Sequence, residues 1–293
     1  MAESVRTLVS ATQHAKPRTR AIYWAVFALT FVAFTAAFVF PLYWAVTGAM
    51  KSSAELVQTP PTIVPADWHP ETYKTAWDGL SLATYFRNTL LVVVGAWAIQ
   101  LAVDVPAAYA LSKLRPKLGN LVLGLMLATL LLPASALLVP TYLTVVDVPL
   151  VHRNLINTPW AIWLPVAANA FNIYILKRFF DQISDEIVDA ATIDGAGPLR
   201  TLWNVVLPLS RPILAVVSIF AVVAAWKDFI WPLLVFPDPA KQTISVALQR
   251  VAPDIPTNYL LAGLVLASIP MIVAFVIFQR QILAGLTAGS LKG

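Results

Sequence analysis

Few side chains in this sequence can do chemistry, and those few are scattered. There is no cysteine, and the three histidines, His14, His69 and His152, lie far apart. A metal or catalytic cluster built on thiolate or imidazole is therefore not expected, and no catalytic or metal-binding residue is assigned. What stands out is polarity inside apolar stretches. Asp104 interrupts one such stretch, and the adjacent Lys227 and Asp228 interrupt another. An ionised side chain at the centre of a bilayer costs roughly 3 kcal/mol on insertion scales, so such groups usually have a purpose. Asn169, Asn172 and Tyr174 share a third apolar stretch, and Trp226 and Trp231 flank the Lys227–Asp228 pair. Amide hydrogen bonds and indole stacking suit the recognition of a hydroxyl-rich solute rather than bond making. The competing reading of each residue is interhelical hydrogen bonding or interface anchoring. For Asp104, near one end of its stretch, structural pairing is favoured. For Lys227 and Asp228, lining a path and structural pairing stand level. Neighbours in sequence do not face each other on a straight helix, so at least one should seek a partner elsewhere.

The elements that must position these groups are membrane helices. The chain of 293 residues is 59% hydrophobic and only 12% charged, with a mean hydropathy of +0.74. So few charges cannot cover a water-soluble protein of this size. A helix crosses the hydrocarbon core with about 20 mostly apolar residues. On that criterion six spans are expected, at about 21–47, 88–111, 121–146, 155–176, 212–236 and 259–280. The fold class is all-α and polytopic, with a cytoplasmic tail over 1–20 and another over 285–293. The first apolar run follows Lys16, Arg18 and Arg20 as a secretory signal would. It is too long for one and has no clear cleavage site, so it reads as a retained span.

Lysine and arginine are uneven between the connections. The N-terminus holds Arg6, Lys16, Arg18 and Arg20. The second-to-third connection holds Lys113, Arg115 and Lys117, the fourth-to-fifth Lys177, Arg178, Arg200 and Arg211, and the C-terminal tail Arg280 and Lys292. The opposite set is sparser. The richer set is expected inside, which places both termini in the cytoplasm. The net charge of +5 is then topological, and a nucleic-acid partner is not expected.

The inside connection 177–211 has structure of its own. Ser184 suits a helix N-cap, with Asp185 and Glu186 well placed in the first turn. Gly195 and Gly197 should break that helix, and Pro198 should open a second one that stops at Pro208. Small residues at Ala190, Ala191, Gly195 and Ala196 let another backbone approach closely. Outside, residues 51–87 carry Pro60, Pro61, Pro65 and Pro70 and should be extended or turned, and Thr243–Arg250 forms a short strand or helix.

Residues Val188-Asp189-Ala190-Ala191-Thr192-Ile193-Asp194-Gly195-Ala196, followed by Trp203, Leu207-Pro208 and Pro212, resemble the EAA loop of ABC importer permeases. Asp189 stands where that family usually has glutamate. Trp226-Lys227-Asp228-Phe229-Ile230-Trp231-Pro232-Leu233 is similar to a stretch of the carbohydrate-uptake branch, with Lys227 in place of a frequent asparagine. Leu132-Pro133 through Pro140, Gln279-Arg280 and Gly285-Leu286-Thr287-Ala288-Gly289-Ser290-Leu291-Lys292-Gly293 resemble the maltose-type permeases. The similarity covers about 21–293. It implies a type I importer permease fold in the plasma membrane that forms half of a sugar pathway. It also implies a second homologous permease, two ATPase subunits and an extracytoplasmic solute-binding protein as partners. The chain itself would be a transport subunit without a cofactor, with ATP and Mg on the ATPase subunits. Coupling to those subunits would fall to Asp189, Ala190, Ala191, Asp194, Gly195 and Ala196, and to Gly289, Ser290, Leu291, Lys292 and Gly293. The absence of a G-x-x-x-x-G-K-[ST] loop agrees with this division of labour. The alternatives are an ABC permease for glycerol phosphate, a polyamine or an amino acid, an ion-coupled secondary transporter, and, last, an intramembrane enzyme.

Overall fold

The computed structural model describes residues 16–288, with side chains through Gln279. Among the described residues there is no strand, and helices dominate. The principal helices are α1 (Pro17–Ala49), α2 (Glu71–Gly79), α3 (Leu82–Tyr109), α4 (Gly119–Thr129), α5 (Ala134–Val146), α6 (Ala170–Phe180), α7 (Asp185–Ile193), α8 (Arg211–Lys227), α9 (Ile230–Val235), α10 (Ile244–Val251) and α11 (Thr257–Ala288).

Among the described residues, three helices are long and apolar enough to cross a membrane: α1, α3 with its continuation to Leu114, and the Thr257–Gln279 part of α11. The 33 residues of α1 extend about 50 Å at the α-helical rise, more than a bilayer core needs. It is apolar on every side, and inside the structure only Thr47, Gly48 and Ala49 are buried. Two further pairs of helices are apolar enough together but sharply bent at a short break, as a broken span or a re-entrant loop would be. α4 and α5 meet at 107° around the Leu130–Pro133 break, and the helix over Pro198–Leu209 meets α8 at 87°.

The stretch 155–176 is not one helix. A single turn at Trp160–Trp163 ends before Pro165, and α6 begins only after Asn169, whose side chain accepts the Asn172 N–H at 3.0 Å. Pro165 has no N–H to donate, and the asparagine offers the next helix a cap. The stretch 212–236 is likewise divided, with Asp228 and Phe229 non-helical between α8 and α9.

Close packing holds the turn at Trp160–Trp163 against α3. Gly95 leaves room for the Trp163 ring, which a Cβ there would approach to 2.2 Å, and the Trp163 indole donates to the Val92 carbonyl at 3.0 Å. Nearer the other end of α3, Val105, Ala108 and Tyr109 bury themselves with Ile173, Leu176 and Phe180 of α6, Leu202 and Val206, and Val217 of α8.

The connections segregate to two ends. At one end Lys241 reaches the Asn157 carbonyl, Ser53 donates to Asn258, and Asn88 donates to the Ala240 and Gln242 carbonyls. The Thr243–Arg250 segment is a helix there: α10 buries Ile244, Val246, Ala247 and Leu248, and the Ile244 N–H donates to Thr89 Oγ1 at 2.9 Å. At the opposite end the 113–115 and 181–185 segments meet.

Candidate functional site

Two places collect the residues singled out from the sequence. The first is the 177–211 connection. Ser184 caps α7, its hydroxyl accepting the Glu186 N–H at 3.3 Å, and Asp185 and Glu186 occupy the first turn where the helix dipole favours anions. The helix ends at Gly195, which adopts φ +79°. The Ala196 N–H donates to the Ala191 carbonyl at 2.9 Å and the Gly195 N–H to the Thr192 carbonyl at 3.0 Å. This is a Schellman closure, and the left-handed residue it needs is the glycine. Gly197 then caps a second helix that opens on Pro198. That helix does not stop at Pro208 as expected. It widens into a π turn over Leu202–Val206 and continues to Leu209, so the proline is carried by an already loosened ladder.

Asp189, Ala190, Asp194 and Gly195 are exposed, and Ala191 and Ala196 half-buried. More telling are the apolar side chains beside them. Ile193 is 86% exposed, Leu199 72% and Trp203 67%, with Ile187 also exposed. Large apolar side chains clustered on a turn mark a contact surface. The loop is nonetheless firm, because Leu202 and Val206 at its far foot are fully buried among α3, α6 and α8.

The second place is a cavity of about 370 Å³ between α3, the 162–169 stretch and α8, lined in part by Gln100, Asn169, Lys227 and Asp228. The two helix breaks supply its polar groups. Asn169 lies where α6 starts and Asp228 where α8 stops. Asp228 Oδ1 accepts the Trp231 N–H at 3.4 Å, a long bond, while Lys227 is exposed and has no hydrogen bond or ion pair among the described residues. The walls between are Ala96, Ala221, Ala224 and Ala225, whose small side chains keep the space open. A hollow of about 410 Å³ is bordered by Thr141 and Thr144 and carries no amide or charged side chain, and two of about 500 and 510 Å³ are larger still but nearly all apolar, one along α1 beside Phe31 and Phe34, the other beside Trp97, Ile219 and Phe275. They offer a polar solute little to bond.

The remaining path candidates lie elsewhere. Asn172 is buried behind the Asn169 cap. Trp226 is buried with its ring 6.3 Å from that of Phe86. The Trp231 indole donates to the Ala161 carbonyl at 2.9 Å and ties α9 to the Trp160–Trp163 turn. Tyr174 lies along α6 and is not among the cavity's lining residues. Asp104 is fully buried, and its Oδ1 accepts the Asn169 N–H at 2.9 Å. Its Oδ2 makes no hydrogen bond, although the Asn172 amide faces the same carboxyl. The structural role favoured for Asp104 thus has a definite form: it closes the N-terminus of α6. Gln100, one turn before Asp104 on the same face, is the lining residue that the sequence reading passes over. The signal available was an amide in an otherwise apolar run. Gly289, Ser290, Leu291, Lys292 and Gly293 lie outside the described residues, and no cluster of potential metal ligands occurs among the described ones.

Residues 105–287, which hold the whole 177–211 connection and most of the cavity, match the family of binding-protein-dependent transport system inner membrane components. The chain belongs to this family. The permease is 31% identical over 261 residues to the probable ABC transporter permease protein YurM of Bacillus subtilis, a match spanning 88% of this chain and 85% of YurM. It is 30% identical to the sn-glycerol-3-phosphate transport system permease protein UgpE of Rhizobium meliloti, over 85% of this chain and 90% of UgpE. Among solved structures, a chain of a bacterial ABC transporter involved in import of the acidic polysaccharide alginate superposes with a TM-score of 0.80 at 25% identity, covering 90% of the permease and 98% of that chain. The permease is thus a multi-pass inner-membrane transport subunit, and ATP hydrolysis belongs to separate subunits of such systems.

Proposed function

We propose that this permease forms half of a membrane pathway for a sugar or sugar derivative, completed by a second, homologous permease. Two ATPase subunits holding ATP and Mg would drive it, and an extracytoplasmic solute-binding protein would deliver the solute. Six spans, with both termini in the cytoplasm, fit the three long helices, the bent α4–α5 pair, α8 with α9, and the broken 155–180 region. Residues 177–211 then face the cytosol with the other lysine-rich connections.

The observation that carries this reading is the exposed, rigid turn at Gly195. A helix closed by a left-handed glycine, flanked by Ile193, Leu199 and Trp203 in the open, suits insertion into a cleft of an ATPase subunit. In the cavity, Gln100 and Asn169 offer amide donors and acceptors to hydroxyl groups, and Lys227 and Asp228 offer one charge of each sign. That set suits a polyol more readily than an apolar solute. The carbohydrate and glycerol-phosphate relatives support the same class, and Lys227 is where an anionic group on the solute would be felt. Gly195→Asp in the reconstituted transporter tests the reading. A side chain at φ +79° strains the turn and alters the surface presented to the ATPase. The expected result is an assembled complex that still hydrolyses ATP with little uptake. Normal uptake would count against the proposal.

A further inference from the structure

The cytoplasm-directed end of α3 is built unusually. After Tyr109 the helix widens into a π turn over Ala110–Leu114, and Arg115 follows in the left-handed region at φ 47°. A π turn takes an extra residue and shifts which side chains share a face. Here Ser112, Lys113 and Arg115 all turn to the segment between α6 and α7. Ser112 Oγ donates to Asp181 Oδ1 at 2.7 Å. Lys113 Nζ donates to the Ile183 carbonyl at 2.6 Å and to Asp185 Oδ1 at 2.8 Å. Arg115 Nη2 donates to Asp185 Oδ2 at 2.9 Å. Lys177 reaches Asp181 from within α6, at 2.8 Å.

These bonds are not an ordinary surface pair. The Lys113 side chain is only 2% exposed, so its ammonium has lost its water and depends on Ile183 and Asp185. The hydrogen bond from Lys113 is the largest influence holding the Asp185 carboxyl below its usual range, with Lys113's charge and Arg115 adding to it. Burial pushes the Asp181 carboxyl up, but the bonds from Lys177 and Ser112 outweigh it and hold it low. Asp185 is the first residue of α7, so the clamp grips that helix at its base while the Gly195 end is free. Through Asp181, which ends α6, the clamp also holds that helix, and a second tie joins α3 to its other end: Asp104 holds the Asn169 N–H that opens α6. Between the ties, Val105, Ala108 and Tyr109 pack on Ile173, Leu176 and Phe180. Gln100 and Asn169, at the far end of this pair, line the cavity.

We propose that Lys113, with Ser112 and Arg115, is a positioning residue that fixes the base of α7 to α3. α3 and α6 then travel as one strut, and a displacement imposed on α7 reaches the Gln100–Asn169 wall of the cavity. The inference rests on the coupling role given above to the 177–211 loop, and adds the residues that connect that loop to the solute path.

The test uses the complete transporter in proteoliposomes, with uptake and ATP hydrolysis measured together. In Lys113→Met the uptake per ATP falls roughly tenfold, within the range by which residues remote from a ligand alter coupling. Lys113→Arg, which keeps charge and donors, restores the ratio. The permease has no cysteine, so Ser112→Cys with Asp181→Cys can be bridged by a short bis-thiosulfonate without competing thiols in this chain. The bridged pair keeps normal uptake, and in the Lys113→Met chain it recovers much of the lost ratio. A wild-type ratio in Lys113→Met overturns the inference. So does loss of uptake on bridging, because α3 and α6 would then have to separate during the cycle. Should Lys113→Met not assemble, the bridged pair alone decides. Failure of the underlying reading looks different: the unmodified transporter would import without ATP.

Discussion

The two places that collect the polar and glycine residues are built on opposite plans. At the base of α7 the charged groups of the clamp are paired: Lys113, Arg115 and Lys177 meet Asp181 and Asp185 at hydrogen-bonding distance. In the cavity the charged groups are under-used, with Lys227 free among the described residues and Asp228 holding one long bond. Paired polar groups fix geometry, and unpaired ones that border a cavity stay available to a solute. The same contrast separates the two membrane carboxylates. Asp104 is fully buried and closes a helix end at 2.9 Å, while Asp228 sits half-buried on the cavity wall. Placement beside a helix break is common to both, so what distinguishes structure from function here is partnership and access to the cavity.

The contrast can be broken by substitution. The largest loss of stability should follow Leu202→Ala, at the buried foot of the coupling loop: about 2–5 kcal/mol, read as a lower midpoint of thermal unfolding in detergent. Asp104→Ala should cost about 1–3 kcal/mol by leaving the Asn169 N–H at the start of α6 without its acceptor, seen as a smaller drop in the same midpoint. Lys227→Gln should move stability by no more than about 0.5 kcal/mol, yet change the KM for uptake severalfold, since Lys227 lines the cavity, is exposed and makes no hydrogen bond or ion pair among the described residues. If Lys227→Gln destabilised the permease as much as Leu202→Ala, the division into a fixed end and a responsive middle would be wrong. Smallest of all is the effect of acid on the clamp. The Asp185 carboxyl is held below its ordinary value of 3.8, so its contribution is complete above that value and is lost only as pH falls through the lower, folded one. Thermal stability should therefore show no change from this group between neutral pH and about 5.

Much of this was legible in the sequence. Ser184, Gly195 and Pro198 act by local backbone chemistry, and the structure forms the cap, the left-handed turn and the helix start at those residues. α1 was legible because an unbroken apolar run has few other fates. The broken 155–180 region was not, although Pro159, Pro165 and Asn169 lay in view. Absence of charge reports that a segment tolerates the membrane and says nothing of whether it is one helix. Pro208 misled in the other direction, because a π turn formed by residues before it cannot be read from the proline itself. The clamp was hidden for a third reason. Lys113 and Arg115 were counted for orientation, and only the fold brings them to Asp185, some seventy positions along the chain. Gln100 gained meaning in the same way, once Asn169 and Asp228 stood across the cavity from it.

Coupling of the proposed kind requires the turn at Gly195 to stand in the cytosol against an ATPase subunit. Ile193→Cys, the most exposed apolar position of that turn, gives the most direct measurement in this cysteine-free chain. A membrane-impermeant maleimide should label it in inside-out vesicles and spare it in intact cells, and a short cross-linker should join it to an ATPase subunit in the assembled complex. Labelling from the outer face of intact cells would contradict the account.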